Sequence, residues 1–280
     1  MQSAAASILA GRFVVPTGMI SIDWEPVAHI GPIPVNWYGL GWATAFLTGR
    51  WLVLRWVRGT WLSRDRLEEL LLWIFIGAFA GARLYYVAQN EPWFYLTHPW
   101  RIVAVWEGGL AFFGGLFGAI GASLIYTRRK GLPFLRVADL IAPAIPIAGA
   151  IGRIPCGLDG MDYGTPSSLP WSVVYTNPNS FGPTDGVPRH PDQYYELLGD
   201  LAIAWLLLKL RPKLPEGGTF YLYLTLFAGL RFALFFVRGN VPVVALGLKN
   251  AQWTALAILA VAVPALMVRL SHRRSTAGHA

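Results

Sequence analysis

Long apolar stretches alternate with short polar and basic ones along most of the chain. A membrane-spanning helix needs roughly 20 mostly apolar residues. Stretches of that kind lie at about 36–57, 67–88, 109–127, 193–210, 219–237 and 250–270. A seventh, 137–153, carries Asp139, Pro143 and Pro146, which predicts a kinked helix. Residues 154–192 are rich in Pro, Gly, Ser and Asn, so they form a long loop and not another span. The pattern predicts an all-α integral membrane protein of about seven transmembrane helices. It is read as a single transmembrane domain over 1–280. Within it, 1–30 is an interfacial lead-in, 31–270 the helical bundle and 271–280 a tail. Met1–Ala10 lacks a basic n-region and its apolar run stops before Arg12, which argues against a secretory signal.

Composition strengthens this picture. The chain is 55% apolar and only 14% charged, where a soluble domain is about 25% charged. Mean hydropathy is +0.46. The net charge of +8 does not require nucleic acid, because the basic residues cluster in alternate loops. Arg55, Arg58, Arg64 and Arg66 fall in one loop region, Arg128, Arg129, Lys130 and Arg136 in another. Lys209, Arg211 and Lys213 follow, then Arg269, Arg273 and Arg274. The intervening loops hold only Arg101, Arg153, Arg189, Arg238 and Lys249. Positive charge stays on the cytoplasmic side, so the pattern predicts N-out, C-in, with 154–192 facing outward. Cys156 is the only cysteine, which excludes an intramolecular disulfide and a CxxC metal site. HExxH, GxSxG and EF-hand patterns are absent.

Ionisable groups inside a membrane are costly and mark function or pairing. Arg50 and Arg83 sit towards helix ends and can snorkel or pair. Asp139 and Glu196 stand near helix starts, where a carboxylate suits the positive end of the dipole. Arg153 and Arg231 differ. Arg153 closes the kinked span within GAIGRIPCGLDGMDYG, where glycines let a ligand approach the backbone. Arg231 lies mid-span with no acid at i±3 or i±4, so it wants an anion from elsewhere. Lipid phosphate is abundant there, and guanidinium binds it with a bidentate fork. In WEGGLAFFGGLFGAIG, Gly114, Gly118 and Ala122 form a small-residue face suited to close helix packing. The doubled glycines could also open a cavity for lipid.

VNWYGL at 35–40, the glycine-rich 106–121, ADLIAPAIPIAGAIGR at 138–153, RHPDQYYE at 189–196 and YLYLTLFAGLRFALFFVR at 221–238 stand in a telling order. Together they resemble the phosphatidylglycerol–prolipoprotein diacylglyceryl transferases of bacterial lipoprotein maturation, over about 25–270. The resemblance implies a seven-helix, multi-pass protein of the bacterial inner (plasma) membrane. It implies transfer of diacylglyceryl from phosphatidylglycerol to the lipobox cysteine thiol of a prolipoprotein, releasing glycerol 1-phosphate. The implied partners are phosphatidylglycerol, prolipoprotein signal peptides and the bilayer, with no metal, soluble cofactor or nucleic acid. Carried onto this chain, Arg153 holds the lipid head, Arg231 is a second essential arginine and Tyr38 belongs to the site. Gly114 and Gly115 fall in the lipid-binding glycine motif.

The chain departs from the family pattern at that site. The family's H-G-G is Phe113-Gly114-Gly115 here. Its GRxGNFxNxE runs as Gly152 to Met161, with Cys156 and Asp159 at the asparagines. The acid expected four residues after the late arginine is Phe235. Guanidinium cannot serve as base. The cations can lower the thiol pKa instead, or Asp159, Asp162 or Glu196 can take the proton. Two alternatives remain at this level: a non-catalytic or altered-acceptor paralogue that binds phospholipid or prolipoprotein, and a small-solute transporter.

Overall fold

The computed structural model describes residues 19–89, 92–104, 109 and 111–277. In chain order these form strands β1 (Ile20–Ile22), β2 (Val27–Ile30) and β3 (Ile33–Asn36), then helices α1 (Trp37–Trp56), α2 (Arg64–Gln89) and α3 (Pro92–Thr97). Next come α4 (Phe112–Arg129), α5 (Phe134–Ile141), α6 (Ala144–Asp159), β4 (Val173–Tyr175), α7 (Asp192–Leu210) and α8 (Gly218–Leu234). Strands β5 (Val243–Ala245) and β6 (Leu248–Lys249) and helix α9 (Asn250–Ala277) complete the chain. Every apolar stretch expected to span is helical, and the kinked one breaks at Ala142–Pro143 between α5 and α6. Among the described residues two helices, over Arg64–Ala88 and Asn250–Ser271, are long and apolar enough to cross a membrane, or three crossings if α5 and α6 make one bent span. The protein is therefore mostly helical with membrane character. The strands are short additions that no periodicity announced. Residues 1–18 of the expected lead-in, Glu107 and Gly108 of the glycine-rich segment and 278–280 of the tail lie outside the described residues.

Packing divides the chain into two units, residues 50–140 and residues 1–49 with 141–280. In the first, α2 and α4 run antiparallel and meet through glycine. A Cβ at Gly118 would sit 2.0 Å from the Gly77 carbonyl oxygen, and one at Gly114 would sit 2.2 Å from that of Gly81. Side chains cannot enter such a contact, so the small-residue face brings two backbones together. Arg83 of α2 is buried and donates to the carbonyls of Arg101 at 2.6 Å, Ile102 at 2.9 Å and Gly109 at 3.0 Å. Its guanidinium also faces Tyr86 and Tyr95. Arg50 pairs with Glu68 at 3.2 Å.

In the second unit α6 packs on α7, α7 on α8 and α8 on α9. Ala142, Ile203, Leu207 and Tyr223 form a core among them. The first turns of α1 press on α6: a Cβ at Gly41 would sit 2.3 Å from Pro155 Cγ, and Gly152 makes room for the Trp42 ring. The long loop is tied down at several points. Strand β4 pairs in parallel with β1 and bridges to Arg189. Tyr175 donates to the Gly157 carbonyl and accepts from Gln193. Lys249 and Gln252 donate to the carbonyls at the end of α8, Lys249 to Phe235 and Arg238 and Gln252 to Phe232.

Candidate active site

Helix α7 presents Asp192, Gln193, Glu196 and Asp200 on one buried face, at the spacing of one helical stripe. Three arginines meet that stripe. Arg153 comes from α6, Arg231 from α8, and Arg238 follows α8 seven residues after Arg231. Arg153 Nε lies 2.6 Å from Glu196 Oε2, and its Nη1 donates to Asp162 Oδ2 at 2.8 Å. Arg231 Nη1 donates to Glu196 Oε1. Arg238 lies 2.5 Å from Asp192, 2.7 Å from Asp162 and 3.3 Å from Glu196. Three guanidiniums thus face three carboxylates, and both oxygens of Glu196 are engaged.

Arg231 departs from the expectation of a cation left for lipid phosphate. It has no acid on its own helix, but it is paired, because α7 brings Glu196 to it across 35 residues of sequence. Burial of an unpaired charge is prohibitive, and Glu196 removes that cost. Arg238, Asp192 and Asn240 were not singled out from sequence. A signal existed for Arg238 in its place seven residues after Arg231, although α8 ends at Leu234, before it. Phe235, which stands where the family has an acid, lies under both arginines. Its ring centre is 4.8 Å from the Arg231 guanidinium carbon and 5.0 Å from that of Arg238.

Asp162 is the accessible member. Its side chain is 37% exposed, while that of Arg238 is 2% exposed. Gly160 (φ 80°) ends α6, and Asp162 itself adopts φ 60°, a left-handed conformation that Asp tolerates better than most residues. This turn swings the carboxylate back to Arg153. Burial pushes the Asp162 pKa up, but Arg238 and Arg153 outweigh it and hold the carboxyl down at about 2. Asn240 adds a weak contact at 3.4 Å.

Tyr38, in the first turn of α1, lies within electrostatic reach of Cys156, Asp162 and Arg153. Of the other sequence candidates, Cys156 shares the electrostatic reach of Arg153 without joining its ion pairs. Asp159 is buried beside the Trp24 indole and takes no part in the arginines' ion pairs among the described residues. Cys156 is buried and donates to the Gly152 carbonyl one turn back. Gly114 and Gly115 belong to the 50–140 unit, where Gly114 is filled by the contact with Gly81 and Gly115 touches Ala78 and Ala82. On the face of α7 opposite the charged stripe, Tyr194, Tyr195 and Leu198 line an apolar cavity of about 610 Å³ with Ile20, Ile22 and Trp171.

A family model for prolipoprotein diacylglyceryl transferase matches residues 26–268. The chain belongs to the prolipoprotein diacylglyceryl transferase family. Relatives named phosphatidylglycerol–prolipoprotein diacylglyceryl transferase match nearly end to end. One from Cupriavidus pinatubonensis is 34% identical, covering 93% of this chain and 96% of its own length. One from Bordetella avium is 36% identical over 84% and 90%. One from Methylobacillus flagellatus is 31% identical over 90% and 99%. Within the transferase family's signature the terminal acid position is Met161 here, and the next residue, Asp162, supplies the carboxylate that meets Arg153.

Proposed function

We propose that this chain transfers the diacylglyceryl group of phosphatidylglycerol to the lipobox cysteine thiol of prolipoproteins, as a multi-pass protein of the bacterial inner membrane. The observation that carries the proposal is the convergence of Arg153, Arg231 and Arg238 on Glu196, beside an accessible Asp162. About seven crossings with N-out and C-in orientation would put this cluster at the outer side, where signal peptides emerge. The apolar cavity behind α7 offers room for an apolar part of a substrate.

The chemistry is a displacement. The cysteine sulfur forms a bond to the glyceryl carbon. The carbon–oxygen bond to phosphate breaks, and its electron pair leaves with glycerol 1-phosphate. Charge grows on the phosphate oxygens as that bond breaks, so fixed cations stabilise the transition state. Arg153 and Arg231 are assigned to the phosphate, with Glu196 holding both in place from behind. Asp162 occupies Arg153 Nη1 in the resting site, and an incoming phosphate takes that place. Arg238 retains the displaced Asp162. Tyr38 is assigned to the lip of the same site.

Both oxygens of Glu196 are taken up by arginines, and Asp162, held at about 2, is a poor proton acceptor at neutral pH. We assign the thiol proton to water, helped by the cationic surroundings that lower a thiol pKa. The test is purified full-length protein with phosphatidylglycerol and a lipobox peptide, read by mass spectrometry. A thioether-linked diacylglyceryl product is expected from the wild type, and at most about one hundredth of its rate from Arg153→Ala. No product from the wild type, beside an active family member in the same mixture, would favour the paralogue with another acceptor.

A further inference from the structure

The last turns of α1 and the first turn of α2 enclose a second charged site, within the 50–140 unit and built from none of the residues assigned to the transfer. A cavity of about 110 Å³ is lined by Arg50, Trp51, Leu54, Arg55, Arg58 and Arg64. Residues 50–64 contain these four arginines and no acid. Glu68 supplies one carboxylate, 3.2 Å from Arg50 and 2.9 Å from Arg64. Arg55 lies over the exposed Trp51 ring at 5.5 Å. Arg58 has no ion pair, hydrogen bond or ring contact among the described residues.

Four like charges around one small cavity, with one acid between them, repel one another. An anion at their centre relieves this. A guanidinium stacked on an aromatic face keeps its edge N–H groups free for phosphate oxygens. The walls decide between anions. Trp51 is an interfacial residue type with its ring exposed, and it places an apolar surface beside the charges. That combination suits a lipid head with its glycerol and first methylenes, as in basic pockets beside membrane helices. We propose that this cup binds a phosphate-bearing anion, supplied as the headgroup of an anionic phospholipid.

Native mass spectrometry of the full chain in detergent tests this. Phosphatidylglycerol and phosphatidylcholine are titrated separately into the wild type and into the double variant R55Q/R58Q. Both proteins keep Arg153 and Arg231, so lipid held there counts equally in each. The wild type should retain one more phosphatidylglycerol than the variant, with affinity for it about 30-fold higher at roughly 1 kcal/mol per arginine. Phosphatidylcholine should show no difference. Arg58→Lys, which keeps charge and loses the fork, should weaken retention by a smaller factor. Equal phosphatidylglycerol counts in wild type and double variant, with equal melting temperatures, would overturn the proposal. Displacement of the extra lipid by inorganic phosphate at matching concentration would make the site one for free phosphate and overturn the lipid assignment.

Discussion

Arg83 and Arg153 are both arginines of apolar helices, and their partners set them apart. Arg83 is spent on three backbone carbonyls in the glycine-packed unit. Those acceptors cannot leave without moving the chain that carries them. Arg153 is spent on two side-chain carboxylates, one of them the accessible Asp162. A carboxylate on a loop side chain can be exchanged for a phosphate with small motion. An arginine closed by backbone is therefore a bolt, and one closed by carboxylates is a site held ready by a replaceable anion. Removing each arginine should separate these roles.

The largest expected effect is at Arg153. Arg153→Ala should lower kcat/KM by about 10²–10³-fold, the usual loss for one transition-state donor. Arg153→Lys should recover part of it, since the charge returns without the fork. Steady-state kinetics with a lipobox peptide measure both, and a variant within twofold of wild type would remove Arg153 from the chemistry. Arg83→Met should do the reverse. Three part-buried acceptors lose their donor, at up to about 1–3 kcal/mol each before relaxation, so the melting temperature should drop. Activity per folded molecule should hold. Intact stability with lost turnover would make Arg83 part of the site after all.

Much of this contrast is visible in the sequence, and the limits follow from its physics. The helical segments are legible because about twenty apolar residues are a local signal. The break before α6 is legible from Pro143 and Pro146, and a close-packing face on α4, though not its partner, from Gly114, Gly118 and Ala122. Arg153 and Arg231 stand out because charge is rare in apolar stretches. The partner of Arg231 was hidden, because a helix periodicity does not say which helix lies beside it. Strands β1 and β4 were hidden because three residues are too few for an alternation to register. Asp162 was visible as an acid. Its inward turn depends on a left-handed backbone that Asp adopts only in context.

Asp162 gives a smaller and more particular effect. If it holds Arg153 only until phosphate arrives, Asp162→Asn should lower KM for phosphatidylglycerol several-fold and change kcat less. A raised KM would mean that the carboxylate helps to bind substrate. Acid stability supplies the sign. The folded pKa, about 2, lies below the usual 3.8. The wild type therefore carries a stabilising contribution from Asp162 above pH 4, and loses it as pH falls towards 2. Melting curves of Asp162→Asn should lack that component, while the rest of the acid profile stays.

Phe235 makes the finest test, because it sits between two arginines and touches both. A cation over an aromatic face is worth about 0.5–1 kcal/mol at exposed sites and more when desolvated. Phe235→Leu keeps an apolar side chain and removes the ring's negative face from Arg231 and Arg238 together. If the ring only fills space, stability falls a little and kcat/KM is unchanged. If it fixes the two guanidiniums for phosphate, kcat/KM should fall several-fold, and Phe235→Tyr, which restores an aromatic face, should recover most of it. That rescue distinguishes orientation from packing. Where relatives of this chain place a carboxylate, an aromatic ring would then hold the same cations by a weaker force, leaving Glu196 as the anion that Arg231 and Arg153 share.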